Sequence, residues 1–113
     1  MRLYKSAALT ANQRTSNLAS AIPEIEWIRR PSRIRISGSE SLTTGGVTVT
    51  LIVGGRALLQ DAALGGANRS PVLPDDILGE WIVQPGSQTF LIIQETLGGT
   101  PTYFIQLDVD PVA

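Results

Sequence analysis

The stretch VTVTLIVGG, residues 47–55, decides the fold class, because its side-chain types repeat at every second position. Successive side chains of a β-strand point to opposite faces, and β-branched residues suit such a pleated surface. The alternation therefore predicts a strand that ends at Gly54-Gly55. One face is expected to be apolar and the other mixed: the first holds Val47, Val49, Leu51 and Val53, and the second holds Thr48, Thr50 and Ile52.

Other segments with strand character lie on both sides of this stretch: RIRIS (33–37), GEWIV (79–83), QTFLIIQET (88–96) and TYFIQLDV (102–109). Pro85-Gly86 fits a type II turn and Gly98-Gly99 fits a hairpin turn, so two hairpins are expected to join the last three strands. RALLQDAAL, residues 56–64, is compatible with a strand or with one to two turns of helix. ANRSPVLPDD, residues 67–76, is expected to be a loop because of its two prolines.

The pattern as a whole predicts an all-β protein: a single small β-sandwich, jelly-roll-like or an incomplete jelly roll, with an extended N-terminal arm. A chain of 113 residues has room for one domain of this kind. We expect the arm to cover residues 1–30 and the sandwich to cover residues 31–113. Residues 90–93 are four consecutive large apolar side chains, so their strand is expected to be central in its sheet or covered at a subunit contact.

The first 22 residues have no strand alternation and few large apolar side chains. Ordering a backbone of this length costs more conformational entropy than the burial of so few side chains returns. The segment is therefore expected to be disordered alone and to order only against a partner. Its large apolar residues would be the anchors of the arm, and they are Leu3, Tyr4, Leu9, Leu18 and Ile22.

The charges of the chain are unevenly distributed although its net charge is −1. Residues 1–35 hold seven basic and two acidic residues, whereas residues 36–113 hold two basic and eight acidic residues. A basic head and an acidic body would attract each other between identical copies, which favours assembly of like subunits.

The densest positive charge lies in IRRPSRIRIS, residues 28–37. The four arginines could bind an anion, either nucleic-acid phosphate or acidic side chains of a neighbouring chain. The alternative is a solvated outer face on which they pair with Glu24, with Glu26 or with the acidic body, and isolated pairs of that kind contribute about 0–1 kcal/mol each. The candidate anion-binding residues are Arg29, Arg30, Arg33 and Arg35.

Several classes of chemistry have no candidate residues. The sequence holds no His and no Cys, which removes the usual general base and the commonest zinc ligands. The acidic pairs 75–76 and 108/110 are interpreted as solvated charge, and a calcium site that uses Asp61, Asp75, Asp76 or Asp108 is a minority alternative. We expect no enzyme activity, no cofactor and no metal. No apolar run has the length of a membrane span or of a secretory signal, so export is not expected.

A basic arm followed by a small Gly/Thr/Val-rich sandwich resembles the small capsid, penton and decoration proteins of icosahedral viruses and phages. The resemblance lies in RRPSRIRI, VTVTLIV, TFLIIQET and TYFIQLDV. It implies a structural protein of the virion, made in the host cytoplasm. Its partners would be copies of itself and other capsid proteins, with nonspecific contact to packaged nucleic acid as a further option. In that family the arm threads under neighbouring subunits.

The alternative is a carbohydrate- or receptor-binding β-sandwich module on a larger assembly. A sugar site needs exposed aromatic rings beside polar groups. We expect Trp27 and Trp81 to be core or interface residues, with the core as the default. Several of the six aromatic residues are expected to be buried, which favours the virion hypothesis; they are Tyr4, Trp27, Trp81, Phe90, Tyr103 and Phe104.

Overall fold

The computed structural model describes residues 1–41, 46–66 and 76–112. In this part of the chain nearly all regular structure is β. A 3-10 helix, Leu18–Ala21, and a four-residue helix α1, Pro23–Glu26, precede the second strand. The strands are β1 Arg2–Ala8, β2 Ser32–Glu40, β3 Val47–Val53, β4 Arg56–Ala63, β5 Ile77–Val83, β6 Thr89–Glu95 and β7 Thr102–Pro111.

The strands form two antiparallel sheets, which confirms the predicted all-β fold class. Sheet A has the strand order β1-β7-β2-β5, and sheet B has the order β4-β3-β6. Both sheets turn one apolar face to a shared core. The predicted faces are confirmed in β3, where Val47, Val49 and Leu51 are fully buried while Thr48 and Thr50 are only partly buried.

The antiparallel strand pairs are nested around the turn that joins β3 to β4. Gly54 and Gly55, with φ of 62° and 78°, make the tight turn between β3 and β4, a conformation that glycine adopts without strain. Outside this hairpin β2 pairs with β5, and β1 pairs with β7 at the two ends of the chain. A jelly roll is wound in this way, as one long antiparallel ribbon rolled into two sheets.

The place beside β6, where a jelly roll has a further strand, is occupied by an irregular segment. Residues 13–17 run along the edge of β6, where Thr15 N–H donates to Ile93 O at 2.9 Å and Ile93 N–H donates to Thr15 Oγ1 at 3.0 Å. The Asn17 amide continues the ladder, since it accepts from Leu91 N–H at 2.9 Å and donates to Thr89 O at 3.0 Å. The segment therefore takes the place of an eighth strand and covers the edge of sheet B.

Two glycines let side chains approach the backbone inside sheet A. A Cβ on Gly79 would lie within 3.0 Å of three ring atoms of Trp81, and a Cβ on Gly38 would lie 2.7 Å from Ile105 Cδ1. Glycine at position 79 thus lets the Trp81 indole lie flat against the edge of the sheet, where it packs on the core.

The expectation that residues 1–22 order only against a partner is wrong, because this segment folds onto its own sandwich. Arg2 to Ala8 pair with Asp108 to Thr102 of β7. Leu3, Leu9 and Ala19 are buried in the core. An extended arm of thirty residues would reach roughly 100 Å, whereas the longest dimension of the molecule is 41 Å. Backbone hydrogen bonds that β1 and residues 13–17 form with the two sheets offset the entropy cost of ordering this segment.

Both predicted hairpins are also wrong. β5 and β6 belong to different sheets, as do β6 and β7, so the turns at Pro85-Gly86 and Gly98-Gly99 connect sheets instead of paired strands. Gly86 and Gly98 do have positive φ, so the turn chemistry was identified correctly. Of the two alternatives for residues 56–64, the strand is observed, as β4. The predicted loop 67–76 lies outside the described residues except for Asp76.

Candidate functional site

The four arginines fall into two groups, according to whether they lie on β2 or precede it. Arg33 and Arg35 lie on β2 and point away from the core, in alternation with the buried Ile34 and Ile36. Both pair with one carboxylate of β5: Arg33 Nε lies 3.0 Å from Glu80 Oε1, and Arg35 Nε lies 3.3 Å from Glu80 Oε2. These two arginines thus have the intramolecular partner that the alternative interpretation required, and it belongs to the acidic body.

The pairing of Arg35 is part of a row of charges that crosses all four strands of sheet A. Arg2 of β1 lies opposite Asp108 of β7, Asp108 lies opposite Arg35 of β2, and Arg35 lies opposite Glu80 of β5. The Arg2–Asp108 contact is short, with Nε 2.7 Å from Oδ1, and this hydrogen bond raises the pKa of Arg2. We call this row the charge ladder. Basic residues of the first 35 positions and acidic residues of the remaining chain therefore form ion pairs within one molecule.

Arg29 and Arg30 precede β2 and remain exposed. They line a surface pocket of about 280 Å³, and Glu24, Ile28 and Val109 are among its other lining residues. Among residues 1–41, 46–66 and 76–112, neither arginine has a salt bridge within 4.0 Å. Of the four predicted anion-binding residues, these two are the ones whose guanidinium groups remain available to a ligand.

The five predicted arm anchors take different positions. Leu3 and Leu9 are buried in the core of their own chain, so they are not available to a partner. Leu18 and Ile22 pack partly buried against the same core. Tyr4 alone is exposed, on the outer face of β1.

The outer face of sheet B carries apolar side chains next to polar ones. Ile52 of β3 lies opposite Phe90 of β6, and Thr50 lies opposite Ile92. Phe90 is 36% exposed, and the two isoleucines are partly exposed. We call these three apolar residues, together with Trp27, the sheet B patch. The apolar run 90–93 is the signal that identifies it, although its strand is not central among the strands of sheet B.

Trp27 extends the sheet B patch along β6. An isolated antiparallel bridge joins Trp27 to Gln88, which lies two residues before Phe90 and on the same side of the strand. Gln88 Nε2 in turn donates to Glu26 Oε2 at 3.3 Å. The Trp27 side chain is 48% exposed, so its assignment to the core by default is wrong. Trp81 does pack against the core, and Tyr103 is fully buried there.

Glu95 is a structural carboxylate that the sequence interpretation did not identify. It is the last residue of β6 and is buried. Its oxygens accept from the backbone N–H groups of Asn12, Leu97 and Gly98, each at 2.8 Å. These hydrogen bonds, with that from Asn12 first, lower the pKa of Glu95 below its ordinary value of 4.5. The residue ties the start of the segment that covers β6 to the turn that follows this strand.

The remaining acidic candidates form no site in the described part of the chain. Asp108 and Asp110 lie on the outer face of β7 and pair with Arg2 and with the backbone amine of Met1. Asp75 lies outside the described residues. Among those that are described, no three acidic residues come together as metal ligands. The same residues contain no helix with the length and apolarity needed to cross a bilayer.

Comparisons of the chain with protein-family models, with curated proteins and with solved structures found no match.

Proposed function

We propose that the protein is a structural protein of a virion, a capsid, minor capsid or decoration protein, that assembles through contacts between sandwiches. The sheet B patch carries the proposal. A solvent-facing sheet surface normally alternates apolar-in with polar-out, whereas Ile52, Phe90 and Ile92 are apolar side chains on the outward face. Contiguous exposed apolar residues with a polar rim are typical of protein–protein contacts. The occupant that we propose is the sandwich of a neighbouring copy.

The fold supports the proposal by analogy. Jelly rolls are common in viral capsid proteins, but also in lectins, so the winding of the chain alone does not select a function. The N-terminal segment contributes differently from what the resemblance implied, because it completes its own sandwich. Assembly is therefore proposed through the faces and edges of the folded domain, with Arg29 and Arg30 as the residues for nonspecific contact to packaged nucleic acid.

The particle state of the purified protein tests this proposal. We expect light scattering and electron microscopy to show discrete oligomers or shells. Phe90→Ser should weaken association roughly tenfold or more, because a buried aromatic side chain contributes about 1.5–3 kcal/mol. Leu97→Ser is the matched control, since Leu97 is 65% exposed in the turn after β6 and outside the patch. A protein that stays monomeric at all concentrations and with all capsid partners offered would contradict the proposal.

A second candidate function, carbohydrate binding, is favoured by the surroundings of Trp27. An exposed indole beside the amide of Gln88 and the carboxylate of Glu26 provides a stacking surface and hydrogen-bonding groups, which sugar recognition uses. A glycan array distinguishes the two functions. Reproducible binding that is lost in Trp27→Ala and kept in Phe90→Ser would support the second candidate, and a blank array would leave assembly as the function of the patch.

A further inference from the structure

The two sheets have four edges, and three of them are protected against pairing with another chain. Exposed edge strands pair readily with foreign strands, so proteins protect them with covering segments, inward-pointing charges or bulges. The edge of β6 is covered by residues 13–17. At β1, Lys5 shares the inward face with Leu3 and places a charge there. At β4, the pairing with β3 shifts register twice, and Asp61 has a φ of 50°.

The fourth edge, that of β5, lacks these protections in the part of the chain that the structure describes. Gly79 to Val83 pair with Ile36 to Ser32 of β2 without irregularity, and the one register shift lies at the start of the strand. Among the described residues, no segment pairs with the other side of β5. The strand is apolar: Ile82 is 56% exposed, Ile77 is exposed, and its one charged residue, Glu80, is already paired with Arg33 and Arg35.

We propose that β5 is a pairing edge whose occupant is the β5 strand of a second copy, joined antiparallel across a two-fold axis. Sheet A would thereby become one continuous sheet through both subunits. The inference rests on the proposed assembly function and names one contact of that assembly. A two-fold contact satisfies both edges at once, so pairing ends at a dimer instead of continuing into a fibre.

The register of this contact follows from the alternation of side chains. Opposed residues of a pair point to the same side of the sheet, so a register must keep the core faces of both copies on one side. Pairing centred on Glu80 would oppose two carboxylates, and pairing centred on Trp81 would oppose the charged Glu80 to the apolar Ile82. Pairing centred on Ile82 opposes like with like: Ile82 meets Ile82, Trp81 meets Val83, and Glu80 meets the amide side chain of Gln84. We therefore place the two-fold axis at Ile82.

The groove beside this edge supports the same contact. A surface cavity of about 270 Å³ lies between the start of β4 and the end of β5, and Leu58, Trp81 and Ile82 are among its lining residues. Trp81 packs on the core from here, held over Gly79. A second copy seated on β5 would bring its own Ile82 and Val83 to this partly apolar surface.

The experiment uses single cysteines, which the chain otherwise lacks. Directly opposed residues of an antiparallel pair lie about 4.5–5.5 Å apart, within disulfide range. Ile82→Cys is expected to form a disulfide-linked dimer on mild oxidation, at protein concentrations where Leu97→Cys stays monomeric. Failure of Ile82→Cys to cross-link more than Leu97→Cys would overturn the inference.

A charge variant measures the same contact without oxidation. Ile82 lies opposite Arg33 within its own chain, so Ile82→Glu should fold normally. In the dimer it would oppose two carboxylates, and we expect the dissociation constant to rise at least about tenfold, with Leu97→Glu as the control. If Ile82→Glu assembles like the wild type while Phe90→Ser does not, the β5 contact is wrong and the proposed function stands. If the wild type is monomeric throughout, both are wrong.

Discussion

On the outer face of sheet A the charges alternate in sign from strand to strand, whereas on the outer face of sheet B apolar side chains lie beside threonine and glutamine. The charge ladder of Arg2, Asp108, Arg35 and Glu80 finds its partners within the chain. The sheet B patch consists of uncharged side chains, which form no ion pairs. The comparison indicates that the charges of the ladder are paired within the chain, whereas the sheet B patch is available for contact with another molecule.

The largest expected effect is the difference in stability between two alanine substitutions on β6, one on its buried face and one on its outer face. Ile93 is fully buried, whereas its neighbour Ile92 belongs to the sheet B patch. Ile93→Ala should lower the free energy of unfolding by about 2–5 kcal/mol, because it leaves a cavity in the core. Ile92→Ala should lower it by about 1 kcal/mol or less. Urea unfolding of both variants measures the difference.

Equal losses in the two variants would mean that Ile92 is packed within its own chain. The sheet B patch would then be a second small core, and its role in association would have no structural basis. A small loss of stability in Ile92→Ala, combined with weaker association, is the result that the comparison requires.

A smaller effect is expected when the charge ladder is broken at its centre. The Asp108 side chain is only 13% exposed and lies between Arg2 and Arg35. Asp108→Lys would replace two attractive cross-strand neighbours by two repulsive ones, and we expect a loss of about 1–2 kcal/mol in the free energy of unfolding. Added salt should reduce the loss, since it screens exposed charges.

The matched control for this variant is Asp110→Lys on the same face of β7. The Asp110 side chain is 69% exposed, so reversal of its charge should change stability less than the reversal at position 108. If both reversals cost the same and neither loss depends on salt, the order of the ladder contributes nothing, and sheet A is merely a charged surface.

The alternation of side chains predicted the faces of β3 correctly, because a strand with one buried face must repeat its apolar residues at every second position. The same alternation in β2 places Arg33 and Arg35 on the outer face. It could not identify Glu80 as their partner, since this residue is 45 positions from Arg35 along the chain and meets it only through the pairing of β2 with β5.

Two other features left no usable pattern in the sequence. A Pro-Gly or Gly-Gly turn reverses the chain equally well within a sheet and between sheets, so the sequence at residues 85–86 and 98–99 does not distinguish a hairpin from a connection between sheets. The cover of β6 depends on Asn17, whose side-chain amide takes the place of a peptide group in the ladder. A single asparagine in a polar segment gives no sign of such a role. The apolar run 90–93 was the one signal that pointed to the sheet B patch.

The smallest effect at neutral pH concerns the contrast between the carboxylates of the two sheets. Asp108 and Glu80 of sheet A meet arginines on the outer face, whereas Glu95 of sheet B meets backbone N–H groups on the inner side. Glu95→Gln keeps one acceptor oxygen, so we expect a modest loss of stability near pH 7. In the wild type the pKa of Glu95 is lowered in the folded state. Its contribution is therefore fully present above the unfolded value near 4.5 and is lost as the pH falls through the folded value.

Thermal unfolding between about pH 7 and pH 3 tests this sign. The stability of Glu95→Gln should fall less steeply with acid than that of the wild type, because the amide does not titrate. Glu26→Gln is the control, since Glu26 accepts its hydrogen bond from the Gln88 side chain and not from the backbone. Parallel pH profiles of the wild type and Glu95→Gln would show that this carboxylate is not what fixes Asn12 to the turn after β6. The cover of the β6 edge would then depend on the hydrogen bonds that Gln13, Thr15 and Asn17 form with β6, and acid should leave that edge covered.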